Sequence, residues 1–142
     1  MSEMAGDLSP RLRSIVDTLP LRPDMLVLEI GCGPGAAARE IARRIGTGYV
    51  LGIDRSAAAI RQAIGGSEAA SRILRFRRIA AEDFEPEPGE APFDLILAIR
   101  VGALDGRHPE AGRLAAKRLS RVISPSGALY VDGQRRSLEA YL

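Results

Sequence analysis

The stretch LEIGCGPGAAA, residues 28–38, decides the fold. It sets an acid, three glycines at alternate positions (Gly31, Gly33, Gly35) and a run of alanines directly behind an apolar run that begins at Met25. A short apolar run without alternation reads as a strand buried on both faces. Glycines directly after it permit a sharp turn and let another molecule approach the backbone where a Cβ would stand in the way. Ala36, Ala37, Ile41, Ala42 and Ile45 then form the apolar stripe of a helix that stops at Gly46. The start of that helix offers unpaired N–H groups to an anionic group. A glycine-rich strand-to-helix turn holding no ligand is the other reading of the loop.

Outward from this unit the pattern repeats. Upstream, Ser9 and Pro10 read as the cap and first position of a helix carrying Leu12, Ile15, Val16 and Leu19, closed by Pro20 and Pro23. Downstream, YVLGID (49–54) is a second buried strand, Ser56 caps a third helix (AAAIRQAI) ended by Gly65 and Gly66, and RILRFRRI (72–79) is an arginine-rich third strand. An acidic, proline-rich segment at 82–92 reads as a solvated connection. FDLILAI, a helix from Pro109 to about Val122, and ALYVD supply the fourth strand, the fourth helix and the fifth strand. Strands alternating with helices in this way predict right-handed crossovers and an α/β, doubly wound parallel sheet with helices on both faces.

Composition narrows the function classes. The 142 residues, 46% of them hydrophobic, suit one domain spanning 1–142. A net charge of +2 with acids spread along the chain gives no strong signal for nucleic acid. The basic residues are almost all arginine, and nothing functional follows from that. Cys32 is the lone cysteine, so no internal disulfide forms. The start MSEMAGDLSP has no signal-peptide pattern, and no apolar run approaches the roughly 20 residues of a membrane span, so a cytoplasmic location without membrane association is expected.

Ligands of an open parallel sheet sit at the carboxyl ends of the strands, where the chain order reverses beside the first strand. The glycine loop lies there. Gly31, Gly33 and Ala36 also satisfy the looser dinucleotide fingerprint, so the glycines alone leave the ligand open. Glu29 discriminates: an acid beside the loop disfavours a pyrophosphate and favours an ammonium or sulfonium.

VLEIGCGPG resembles the first motif, E/D-x-G-x-G-x-G, of class I S-adenosylmethionine-dependent methyltransferases. LGIDRS is similar to their second motif, in which a strand-end acid, here Asp54 followed by Arg55, holds the ribose hydroxyls; capping of the next helix is its alternative role. IAAEDFEP resembles the third, with Ala80 in place of the usual first acid, which leaves adenine to the Ala81 backbone and Glu82; Glu82 and Asp83 also read as solvated loop residues. The segments around residues 93–106 and 115–132 are similar to the later parts of the family fold. The resemblance runs from about residue 8 to 133 and implies a Rossmann-like sheet of about five strands in the order 3-2-1-4-5. It implies S-adenosyl-L-methionine as cofactor, bound by Glu29, Gly31, Cys32, Gly33, Gly35, Asp54, Arg55, Ala81, Glu82 and Arg100, with no metal.

Methyl transfer from a sulfonium needs mainly alignment of donor and acceptor, and a base only where the nucleophile must lose a proton. The catalytic residues therefore stay unassigned, with Arg100, Asp105 and His108 as candidates on the acceptor side; His108 before Pro109 also reads as the start of a helix, and Asp105 before Gly106 as a turn residue. The acceptor is expected to be a small molecule, since the NPPY-type tetrapeptide of amino-group methyltransferases is absent. Relative to the family the chain stops soon after the fifth strand, so the last two strands are expected to be missing and the fifth strand to be an edge. Such edges are covered, here by the RRSLEAYL tail or by a homodimer or other partner subunit. A noncatalytic donor-binding partner and a nicotinamide-dependent oxidoreductase are the competing readings; the second lacks a Tyr-x-x-x-Lys pair, Lys117 being the only lysine and position 113 an arginine.

Overall fold

The computed structural model describes residues 8–67 and 71–142; most of the N-terminal stretch read for a signal peptide, residues 1–7, lies outside them. Ser9 caps α1 (Pro10–Asp17) by accepting a hydrogen bond from the Leu12 N–H, and the fixed φ of Pro10 suits the first helical position. There follow β1 (Leu26–Ile30), α2 (Ala36–Ile45), β2 (Tyr49–Asp54), α3 (Ala57–Gly65), β3 (Leu74–Arg78), β4 (Phe93–Ala98), α4 (Pro109–Ser120), β5 (Ile123–Val131) and β6 (Gln134–Arg136). Single turns of 3-10 helix occur at Ala81–Asp83 and Leu138–Tyr141.

The strands order 3-2-1-4-5-6, parallel except for the antiparallel β5–β6 pair. Alternation along β1 and β4 divides the core. Val27, Leu95 and Leu97 pack against Val16 of α1 and Ala37, Ala38 and Ile41 of α2 on one face. Leu28, Ile30, Ile96 and Ala98 pack against Ala115 and Leu119 of α4 together with Phe84 on the other. Both faces are covered, as the apolar runs predicted.

The strand count corrects the expectation. Residues 134–136, where no strand was expected beyond the fifth, form a sixth strand that pairs Leu129, Tyr130 and Val131 with Arg136, Arg135 and Gln134. Asp132 (φ +51) and Gly133 (φ +84) make the tight turn, and the Tyr141 hydroxyl anchors the following turn by donating to the Leu104 carbonyl at 2.6 Å. The chain's own tail thus pairs with the edge of β5 along 129–131. The segment at 82–92 is also not wholly solvated. Glu90 is buried, accepts from the Tyr49 hydroxyl at 2.7 Å and from the Glu87 N–H at 2.9 Å, and takes Arg77 Nη2 on both carboxylate oxygens at 2.6 Å. Arg77 lies on β3, so the arginine-rich strand and the acidic loop neutralise each other.

Candidate functional site

The carboxyl ends of β1, β2 and β4 meet at the loop 31–35. Gly31, Gly33 and Gly35 all have positive φ (+66, +54, +90), a region that L side chains rarely enter. Their surroundings differ. A Cβ at Gly31 would stand 2.6 Å from Val101 Cγ2, and one at Gly35 would stand 2.9 Å from both Phe76 Cζ and Arg39 Nη1. At Gly33 it would meet nothing within 4 Å. Gly31 and Gly35 therefore serve close packing, whereas Gly33 turns its backbone to open space. The loop is held by the Cys32 N–H donating to the Ile53 carbonyl at 2.9 Å and by the Gly33 N–H donating to Asp54 Oδ2 at 2.9 Å.

Asp54 shows the capping geometry of its second reading, Oδ1 accepting from the Ser56 N–H at 2.9 Å at the start of α3, and its Oδ2 receives the glycine loop, a contact neither reading foresaw. It ties the second strand to the first loop, and a carboxylate still has acceptor capacity beyond two bonds.

Glu29 is 2% exposed and lies between Gly52 of β2 and Leu97 of β4 in the sheet register. Its Oε1 has no hydrogen-bond partner among the described residues. Burial pushes its carboxyl up to about 8, the Asp54 charge adds to this, and a backbone hydrogen bond from Ala38 and the charge of Arg39 oppose it. The glycine of β2 completes the packing, since a Cβ at Gly52 would stand 2.8 Å from the Phe76 ring and 3.0 Å from Cys32 Cβ. Burial, followed by the charges of Glu29 and Asp54, pushes the Cys32 thiol far above its usual range, so it is an unreactive wall residue.

Two cavities flank Gly31. One, of about 490 Å³, is lined by Gly31, Asp54, Arg55, Ala81, Glu82, Arg100 and His108 among others. The second, of about 510 Å³, is lined by Glu29, Gly31, Cys32, Gly33 and Arg100 together with Ser9, Arg11 and Leu12 of α1 and the first turn of α2. They share Gly31 and Arg100. The structure thus gathers the sequence-predicted residues into one continuous site, apart from Gly35, which packs below it, and Asp105.

Asp105 departs from its candidacy. Its carboxylate accepts from Arg107 Nε at 2.8 Å, and that guanidinium holds it below the usual carboxylate range, which disfavours service as a base. His108 combines its two readings: it is the cap residue of α4 and also lines the first cavity, with its ring against Gly102, where a Cβ would stand 2.4 Å from His108 Cδ2. Arg100 sits at the end of β4 with φ +57, its N–H donating to Asp132 Oδ1 at 2.8 Å. A non-glycine residue held in that region at a strand end is strained, and such strain concentrates at functional positions.

Sequence reasoning missed Ser9, Arg11 and Leu12 as cavity walls. Helical spacing reveals which face of α1 is buried but not that its start overhangs the loop. It also missed Val101 and Arg107, whose segment carries no periodic signal. Among the described residues no group of three or more His, Cys, Asp or Glu is placed to hold a metal, and no helix is long and apolar enough to cross a membrane.

Residues 27–127 match the family described as methyltransferase domain. Nocamycin O-methyltransferase of Saccharothrix syringae is 32% identical over 126 residues, covering 87% of this chain and 43% of that protein. Trans-aconitate 2-methyltransferase of Paracidovorax citrulli is 34% identical over 114 residues, covering 80% and 40%. The chain thus spans less than half the length of these two relatives. Among solved structures, coclaurine N-methyltransferase bound to N-methylheliamine and SAH superposes with a TM-score of 0.69 at 19% identity over 84% of this chain and 34% of that one, a likeness of fold.

Proposed function

The chain belongs to the methyltransferase domain family, and from that premise we propose that it binds S-adenosylmethionine across Gly31 and passes the methyl group to a small-molecule acceptor. The observation that carries this reading is Glu29: a buried carboxyl with an unpartnered oxygen, in a cavity that joins a second one at Gly31 and Arg100. A buried acid of this kind suits a cation and offers a pyrophosphate no compensating positive charge, which favours this reading over the nicotinamide one.

When bound, S-adenosylmethionine supplies an electrophilic sulfonium methyl group. Glu29 faces the ammonium of the amino-acid end, and the unpaired N–H groups at the first turn of α2 receive its carboxylate. Gly33 leaves room for the chain of the amino acid. The free acceptor capacity of Asp54 takes the ribose hydroxyls, and Ala81 with Glu82 borders the adenine.

The acceptor enters beside Arg100 and His108. The matched relatives are named for nocamycin and trans-aconitate, which supports a small-molecule acceptor. A cytoplasmic location fits a chain whose lone thiol is buried.

Isothermal titration calorimetry with S-adenosylmethionine, S-adenosylhomocysteine and NAD tests the donor site. Micromolar binding of the first two and none of NAD is expected. Binding of NAD alone overturns the reading. Acceptor identity then follows from a screen for S-adenosylhomocysteine release.

A further inference from the structure

Glu29 has a second consequence, which rests on the donor site proposed above. Its carboxyl lies on the α2 side of the sheet, below the first helical turn, 2% exposed, with Oε1 unpartnered among the described residues. The groups that face it are few. Asp54 on β2 and the Cys32 thiol in the loop add no positive charge; Arg39 on α2 and the Ala38 N–H draw it toward ionisation; Arg11 of α1 and Arg100 beyond β4 line the same cavity. An ionised carboxylate with one oxygen left dry and unpaired is strongly disfavoured. Without a cationic partner Glu29 is held as the neutral acid, in agreement with a carboxyl pushed up to about 8 by burial.

A ligand that brings an ammonium into this cavity reverses the balance, because it gives the carboxyl a charged donor where Oε1 has no hydrogen-bond partner among the described residues. We propose that binding the amino-acid end of the donor expels a proton from Glu29 to solvent, so that the site admits the donor as a zwitterion and discriminates by charge against nucleosides lacking that end. The proton leaves the carboxyl, the ammonium keeps its own, and the bound pair is carboxylate and ammonium. Glu29 is thus a specificity determinant of the donor site as well as a wall of it.

The test is calorimetry of the whole chain with S-adenosylhomocysteine at pH 7 in buffers of low and high ionisation enthalpy, whose difference counts the protons exchanged. Release of the larger part of one proton per ligand is expected, together with an affinity that rises by up to roughly tenfold per unit between pH 6 and 7. 5′-Methylthioadenosine, which shares the adenosine and lacks the amino-acid end, releases none. Glu29→Gln binds S-adenosylhomocysteine without proton release, and the wild-type buffer series stands by itself should that variant not fold.

Binding of S-adenosylhomocysteine with no proton exchanged overturns the inference and leaves the donor site standing. Equal release by 5′-methylthioadenosine assigns the proton to the adenosine cavity, where His108 lies, and also overturns it. Absence of binding by either ligand at every pH removes the donor site and this inference together.

Discussion

Replacing Asp54 separates what holds the loop from what holds the ligand. Its carboxylate accepts two backbone N–H groups, Gly33 and Ser56, each at 2.9 Å. The residue is half-buried, so each bond to this charged acceptor contributes about 1–1.5 kcal/mol, and Asp54→Ala removes roughly 2–3 kcal/mol of stability. With an unfolding entropy near 2.1 cal/mol/K per residue, a 142-residue chain loses roughly 3 °C of Tm per kcal/mol, so a fall of about 7–10 °C is expected by calorimetry or circular dichroism.

Asp54→Asn keeps one carbonyl oxygen and hence at least one of the two backbone bonds, so it is expected to recover about half of that loss. The ribose hydroxyls need the acceptor sites that the amide lacks. Both variants are therefore expected to weaken S-adenosylhomocysteine binding, the alanine by roughly 2–4 kcal/mol or about 30- to 1,000-fold. An alanine variant melting with the wild type would show that Asp54 does not tie β2 to the glycine loop. Normal affinity in a folded Asp54→Asn protein would remove the ribose assignment.

The glycines separate by environment: Gly31→Ala drives a Cβ against Val101 and is expected to destabilise by about 2–3 kcal/mol in urea titration, whereas Gly33→Ala meets open space, costs about 1 kcal/mol from its φ and instead weakens donor affinity about tenfold. Equal destabilisation by the two would contradict the distinction. Glu90→Ala removes the partner of the Tyr49 hydroxyl and leaves Arg77 only Glu87 at 3.6 Å and the Glu85 carbonyl at 3.2 Å, and is expected to lose about 3 kcal/mol. The Glu90 carboxyl is pushed up by burial, but Arg77, the Glu87 N–H and Tyr49 outweigh this and hold it below its ordinary value. Its contribution is therefore present above the ordinary carboxyl value and lost as pH falls through the lower folded value; wild type and Glu90→Ala should converge in stability on acidification, and parallel curves would place the effect elsewhere. Arg100→Gly relieves the positive φ and is expected to raise stability by about 0.5–1 kcal/mol while weakening ligand binding. A variant that gains stability and keeps full affinity would show that the strain at Arg100 serves no ligand.

Much of the fold was legible because its signals are local. Ser9–Pro10 opened α1, the apolar runs marked β1, β2 and β4, and the sheet order 3-2-1-4-5 appeared as expected. Residues 134–136 were not legible as a strand: Gln, Arg and Arg are all exposed and carry no periodic pattern, and they pair only because the Asp132–Gly133 turn brings them back onto β5. Glu90 failed in the same way. An acid in a run of Pro, Gly and Glu reads as solvated, and its burial depends on Arg77 and Tyr49, which come from two different strands.

The candidate site divides along the same line. By itself the sequence determined that a glycine loop follows a buried strand, that an acid precedes it and that a second acid ends the next strand, because each of these is a matter of residue type and short spacing. Only the tertiary structure decided what those residues do to one another. It left Glu29 Oε1 buried and without a hydrogen-bond partner among the described residues, turned Asp54 onto the Gly33 amide, bound Asp105 to Arg107 and set the start of α1 over the second cavity. Charge state, hydrogen-bond satisfaction and the walls of a cavity arise from groups far apart in the chain, and no local pattern carries the distance between them.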